Sequence, residues 1–222
     1  MAKLSKWSDD YWLLLMQLYL RKPVGMKPMY CRPMVELSLE LHIRPAVLFA
    51  RMCEIANQET PYIERLWETY GNNLRRLSAA VKRLRTMTGF CNADAFYDGV
   101  DTMETFEHDF RPVCAGVNIT PVMLILIVDL YFRLTPATMV PETPEVAELA
   151  RLMKISPAVI GDVLQLYQHF DPYLSRPANL KLLSSPLMSA CRSIWQRFGN
   201  SNIESLASYA GELKEYFRPL LV

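Results

Sequence analysis

The chain repeats itself, and that constrains its folding more than any other feature. Sliding the sequence by 112 positions sets Leu14, Leu18, Tyr19 and Arg21 on Leu126, Leu130, Tyr131 and Arg133. The same shift places Glu36-Leu37 on Glu148-Leu149, Ile43 on Ile155, and Pro45-Ala46-Val47 on Pro157-Ala158-Val159. After a one-residue slip, Thr60-Pro61-Tyr62-Ile63 lies on Asp171-Pro172-Tyr173-Leu174. A more diffuse match pairs Leu77, Val81 and Leu84 with Leu187, Cys191 and Ile194, and Phe90-Cys91-Asn92 with Phe198-Gly199-Asn200. A period this long exceeds that of a solenoid unit, so the expectation is a doubled domain, 1–112 and 113–222, packed as one globule or as two.

Each half opens on a helix-start signal, Ser8-Asp9-Asp10 or Asn118-Ile119-Thr120-Pro121, where a side-chain oxygen can cap free N–H groups and proline suits the first helical position. Tyr11–Arg21 and Val122–Arg133 then read as helices apolar on most faces, as central helices are. Proline-rich connectors follow at Pro23–Pro33 and Pro136–Pro144, whose prolines cannot donate to a helical ladder. No stretch alternates with a period of two, so the fold class is all-α.

The next segment carries a helix-turn-helix spacing. In Glu145–Gln168, Leu149, Ala150, Met153, Ile155, Ile160 and Val163 recur as in a pair of helices that bury one against the other. Ala150 marks their closest approach, the turn falls at Lys154–Ser156, and Ser156-Pro157 begins the second helix. The first half offers Leu37, Ser38, Leu41, Ile43 and Leu48 in Pro33–Gln58, with Arg51 where an apolar residue is expected. His42 and Lys154 stand where such a turn usually has glycine. The same spacing is also a common packing solution in all-α proteins that touch no DNA.

The candidate nucleic-acid contacts follow from donor chemistry, since a groove-reading helix must present groups that reach base edges and phosphates. The first half supplies Arg44, Arg51, Asn57 and Gln58. The second supplies Ser156, Asp162, Gln165 and Gln168, a poor set because Asp162 would face phosphate. The most basic element is Asn72–Arg85, where Leu74, Leu77, Val81 and Leu84 form an apolar stripe and Arg75, Arg76, Lys82 and Arg83 another face, with Arg85 nearby. Asp94, Asp98, Asp101, Glu104, Glu107 and Asp109 follow, able to neutralise that helix or to repel a polyanion. A net charge of +1 gives no global field, so any polyanion must meet a local patch.

Other chemistry is thinly represented. His42, His108 and His169 form no metal-pair spacing, and the sequence has no Gly-rich phosphate loop and no nucleophile beside a base. No enzyme activity and no cofactor or metal is expected. Glu107-His108-Asp109 reads as a polar surface patch, because neighbouring residues of a helix point apart. Five scattered cysteines, Cys31, Cys53, Cys91, Cys114 and Cys191, read as small hydrophobes of a reducing compartment. The aromatic residues, among them Trp7, Trp12, Tyr19, Tyr30, Trp67 and Tyr70 and then Tyr131, Tyr167, Tyr173 and Trp195, read as core and helix-junction packing or, in a weaker reading, as a small-molecule pocket. Met1–Asp10 lacks the apolar stretch of a secretory leader, and Val122–Val128 is far short of the roughly 20 residues of a membrane span. A cytoplasmic protein with no membrane partner is the expectation.

Trp7-Ser8-Asp9-Asp10 through Leu18-Tyr19-Leu20-Arg21, then Met34-Val35-Glu36-Leu37, Pro45-Ala46-Val47 and Ile55-Ala56-Asn57, resemble the helical N-terminal domain of bacterial HNH-endonuclease-like proteins. Leu66-Trp67-Glu68 looks like the short Trp motif that closes that domain. The likeness covers about a third of the chain and recurs more weakly over 120–172. The nuclease part, with its metal-binding histidines and asparagine, has no counterpart, so the resemblance implies a helical module associated with DNA-acting proteins and no cutting activity. The expectation is a non-enzymatic, DNA-binding or DNA-associated regulatory protein with duplex DNA as partner. Its alternative is a protein-interaction or scaffold module without nucleic-acid contact.

Overall fold

The computed structural model describes residues 7–87, 90, 105–114, 118–174 and 180–219. Among these residues it is all-α, with no strand. They fall into two compact units, one drawn from Met1–Glu104 with Pro219–Val222 and the other from Thr105–Arg218. The division lies between Glu104 and Thr105, whereas the repeat spacing puts its boundary at 112–113.

The first unit holds α1 (Tyr11–Leu20), α2 (Arg32–Leu41), α3 (Pro45–Asn57), α4 (Pro61–Tyr70) and α5 (Leu74–Arg85). α1 buries Trp12, Leu14, Leu15, Met16, Leu18 and Leu20, and packs against α5, α3 and α2. An apolar helix has no face to leave in water, so its neighbours must surround it. They do so with Met34, Leu48, Met52, Ile55, Ile63, Leu77 and Val81, all almost fully buried. The start of α1 differs from the expected cap: Asp10 is helical and makes no side-chain cap bond. Backbone bonds from Tyr11, Trp12 and Leu13 to the carbonyls of Ser8, Asp9 and Asp10 form the first turn.

The second unit holds α6 (Pro121–Arg133), α7 (Pro144–Met153), α8 (Pro157–Phe170), the single turn α9 (Leu180–Leu183), α10 (Leu187–Phe198) and α11 (Ile203–Leu213). Its central helix is α6, in which every residue from Val122 to Tyr131 is buried, and it packs against α8, α10 and α11. Thr120 caps it as expected, accepting from the Met123 N–H. Asp129 is the polar exception, buried and paired with Arg133 at 2.7 Å and Lys214 at 3.8 Å. That satisfies a carboxylate which would otherwise be costly inside.

The same local devices occur in both units. His42 and Lys154 adopt left-handed backbone, φ 54 and 57, and each hands the chain to a proline-started helix. The residue after each turn bonds back five positions, Ile43 N–H to the Ser38 carbonyl and Ile155 N–H to the Ala150 carbonyl, which closes the helix end in the manner glycine usually permits. The connectors are held differently. Lys27 is buried and its ammonium donates to the carbonyls of Tyr19, Arg21, Pro23 and Gly25, so one side chain gathers a proline-rich loop and the end of α1. The second connector uses threonines instead: Thr138 Oγ1 donates to the Thr135 carbonyl at 3.0 Å and Thr143 Oγ1 to the Thr138 carbonyl at 2.5 Å.

Local features shared by the two units fall at other places than the later matches of the sequence suggest. Trp67 and Trp195 each end a helix against a glycine four residues on, and a Cβ on Gly71 or Gly199 would come within 2.8 Å of that Trp ring. Each pair is followed by an asparagine cap, Asn73 Oδ1 accepting from Arg76 N–H and Asn202 Oδ1 from Ser205 N–H. From Asn73 the buried residues are Leu77, Val81 and Leu84; from Asn202 they are Leu206, Ala210 and Leu213, at identical spacing. In these features α5 is like α11, whereas Leu187, Cys191 and Ile194 lie on α10, where Cys191 and Ile194 stand before Trp195 as Ile63 and Leu66 of α4 stand before Trp67. Asp171-Pro172-Tyr173 forms a turn, with Asp171 Oδ1 accepting from the Tyr173 N–H at 2.8 Å, whereas Thr60-Pro61 begins α4.

Candidate nucleic-acid interface

The nine candidate contacts divide into two groups on the first unit. On and beside α3, Arg44 is exposed at the N-cap position and Gln58 is exposed in left-handed backbone at the C-cap. Arg51 and Asn57 are engaged at home. The Arg51 guanidinium bonds both oxygens of Glu54, at 2.7 and 2.9 Å, and lies over the rings of Trp7 and Trp12 at 5.4 and 5.7 Å. This explains an arginine at an apolar position: its stem packs like a hydrophobe, and its head is held by aromatic faces and a carboxylate. Asn57 Nδ2 donates to Glu59 at 3.0 Å.

On α5 the structure gathers four cations. At about 3.6 residues per turn, Leu77, Val81 and Leu84 form the buried stripe, while Arg75, Arg76, Lys82 and Arg83 all lie exposed on the outer side. Among the described residues none of these four is in an ion pair; Arg76 lies over the Tyr70 ring at 5.6 Å. Arg85 is drawn off to α2, where it grips Glu40 through two bonds of 2.6 and 2.7 Å. Leu74 departs from the expected apolar stripe. It is 54% exposed, because as the first residue of α5 it overhangs the neighbouring groove.

The acidic residues expected to answer this helix are only partly described. Asp94, Asp98, Asp101 and Glu104 lie outside the described residues. Asp109 is committed to Arg197 by two bonds of 2.9 and 3.1 Å, a contact that raises the arginine pKa. Glu107 is fully buried, with Arg111 4.0 Å away, so Glu107-His108-Asp109 is not the surface patch expected. These three form a 3-10 turn with Phe110, which sends the two carboxylates to different partners.

Among its described residues the second unit presents no comparable set. Ser156 caps α8 through the Ala158 N–H, Asp162 and Gln165 are exposed, and Gln168 is buried against Met139, not available to a groove. α11, which buries residues at the same spacing from its asparagine cap as α5, carries Glu204 and Glu212 and no basic face.

The aromatic residues pack ring against ring. In the first unit Tyr19 meets Trp67 edge-on at 5.7 Å, and Trp67 Nε1 donates to the Ile55 carbonyl. In the second, Trp195 stacks between Phe132 and Tyr167 and meets Tyr131 edge-on. Tyr167 donates to the Leu124 carbonyl at 3.0 Å and Tyr131 to Asp171 at 2.6 Å. Burial raises the pKa of both phenols, with the Asp171 hydrogen bond adding to Tyr131. The Cys191 thiol is pushed up to about 12, also by burial. Such groups stay protonated at neutral pH, which suits packing more than reaction. Tyr173, by contrast, is 95% exposed.

No group of three or more His, Cys, Asp or Glu side chains able to hold a metal ion occurs among the described residues. No helix among them is long and apolar enough to cross a membrane. No family model, no curated protein and no solved structure matches the chain.

The acidic partners were the part of the site hardest to foresee. Glu54 stands three residues after Arg51, a spacing that predicts contact on a helix. Glu40 and Arg85 are 45 residues apart, and only the fold of the first unit joins them.

Proposed function

We propose that this chain is a non-enzymatic, cytoplasmic, DNA-associated protein that holds duplex DNA through the outer face of α5. The observation that carries the reading is the set Arg75, Arg76, Lys82 and Arg83, exposed on one side of a well-anchored helix without acidic partners among the described residues. Arg44 and Gln58 would add contacts from α3. Arg51, Asn57 and Arg85 are assigned a supporting role, because their donors are already spent on Glu54, Glu59 and Glu40. Phosphate recognition needs cations on a rigid element and little else. The likeness to the helical domain of HNH-endonuclease-like proteins accords with this reading. So does descent of both units from one duplicated module, supported by the shared left-handed turns, Trp-Gly contacts and asparagine caps.

The test is duplex affinity against salt concentration. Four phosphate contacts predict a slope of about −3.6 in log K against log salt. Replacing Arg75, Arg76, Lys82 and Arg83 by alanine should flatten that slope while leaving the circular dichroism unchanged. A flat, millimolar response of the unaltered protein refutes the reading.

A further inference from the structure

The four exposed cations of α5 stand in a regular pattern. At about 3.6 residues per turn, Arg75 and Lys82 fall in one row of the helix surface, and Arg76 and Arg83 in a second row roughly 100° round the axis. The two members of each row are seven residues apart, which separates them by about 10.5 Å along the axis. Both rows lie opposite the buried stripe of Leu77, Val81 and Leu84. The helix thus presents one pair, Arg75 with Arg76, near its start and another, Lys82 with Arg83, about two turns later. Ala79 is exposed, midway between the rows and midway between the pairs.

The centre of this face has nothing to read a base with. Ala79 offers a methyl group, and Ser78 Oγ lies to one side, accepting from Gln17 Nε2 at 3.4 Å. Thr86 Oγ1, past the second pair, donates to the Arg83 carbonyl at 2.8 Å. Base recognition needs donors and acceptors that enter a groove, whereas phosphate contact needs only cations held in place. Arg76 is steadied by the Tyr70 ring, and the helix as a whole by its packing on α1. A duplex on this face is therefore gripped by its backbone, and the separation of the two pairs decides where.

Groove widths of about 6 Å for the minor and about 12 Å for the major groove are measured between phosphate surfaces, so phosphorus centres lie about 12 and about 18 Å apart. Cation pairs about 10.5 Å apart meet the first distance with side chains held straight out, and the second only by leaning outward about 4 Å at each end. In A·T tracts the minor groove narrows further and its negative potential deepens, which brings groove and helix closer to agreement. We propose that α5 lies across the minor groove of duplex DNA, Arg75 and Arg76 on the phosphates of one strand and Lys82 and Arg83 on those of the other, with A·T tracts its preferred sites. The inference rests on the DNA reading above and adds to it a groove and a class of sequence. Selection arises without a base contact, because a narrow groove lets both pairs bind at once.

Fluorescence anisotropy of the full chain with labelled duplexes of equal length tests the proposal. An A·T tract should bind at least about fivefold more tightly than a G·C duplex, a discrimination of the size that groove shape supplies. Inosine in place of guanine removes the amino group from the minor groove and leaves the major-groove edge intact, and most of the lost affinity should return. Arg75→Ala with Arg76→Ala and, separately, Lys82→Ala with Arg83→Ala should each halve the salt slope, from about −3.6 to about −1.8. Each double variant should also bring the A·T preference below about twofold, since one pair cannot span a groove. All four side chains are exposed, so an unchanged circular dichroism spectrum is expected, and the comparison of duplexes needs no variant. Absence of binding to every duplex overturns the DNA reading and this inference with it. Duplex binding that ignores A·T content, that inosine leaves unchanged, or whose A·T preference survives the loss of one pair overturns this inference alone. Tighter binding to an RNA duplex or to a single strand does the same.

Discussion

Three non-glycine residues, His42, Gln58 and Lys154, close helices in left-handed backbone. That conformation brings Cβ close to the following carbonyl and costs roughly 1 kcal/mol or more for any residue but glycine. Gln58 and Lys154 are exposed, so little is lost with their side chains. Gln58→Gly and Lys154→Gly should therefore each raise stability in urea by about 0.5–1 kcal/mol, the gain being trimmed by glycine's greater freedom in the unfolded chain. The turn positions were legible in the sequence, since His42 and Lys154 stand where glycine is usual. Lys27 was not. Nothing in a proline-rich connector announces that one lysine will be buried among four carbonyls. Burial lowers its pKa, followed by opposing effects of Cys31 and Arg21. Lys27→Met keeps the stem and deletes the donor, and a loss of about 2 kcal/mol is expected from equilibrium unfolding.

At the scale of elements, α1, α5, α6 and the helix pair α7–α8 were plain from apolar periodicity and, at Pro121 and Pro157, from proline at the first helical position, whereas α4, α10 and α11 were not read as helices. Helix pairing was less plain. The weaker matches of the sequence rested mostly on apolar spacing, and α10 and α11 both offer such a stripe. The informative marks were the Trp, the Gly four residues later and the Asn cap, because each has a geometric reason to recur. Gly71 and Gly199 have ordinary right-handed backbone; what requires glycine there is the Trp, whose carbonyl and ring leave no room for a Cβ. Gly199→Ala should displace Trp195 from its stack with Tyr167 and Phe132, seen as a shift in tryptophan emission together with lower stability. Asn73→Ala and Asn202→Ala should each cost about 1 kcal/mol, the worth of an asparagine cap.

For the molecule as a whole, pH dependence follows from three phenols, of which Tyr131 and Tyr167 are buried and Tyr62 is partly exposed. The pKa values of Tyr62, Tyr131 and Tyr167 are raised above the ordinary 10.0, burial being the largest cause in each case. An acid with a raised folded pKa holds its proton longer in the native state than in the unfolded one. Stability is therefore whole below about pH 10 and falls as the pH climbs beyond it. Tyrosinate absorbance of the native protein should accordingly lag behind that of the urea-unfolded chain, and coincident titrations would refute the point. The net charge of +1 conceals a sharp internal contrast, since α5 carries five cations (Arg75, Arg76, Lys82, Arg83, Arg85) and α11 two carboxylates (Glu204, Glu212). Both helices nevertheless hang from an asparagine and bury residues four, eight and eleven positions beyond it. Anchoring and surface chemistry are thus written in separate letters of the same helix. Drift can rewrite the outer letters without unseating the helix, so new specificities are reachable from either unit through neutral steps.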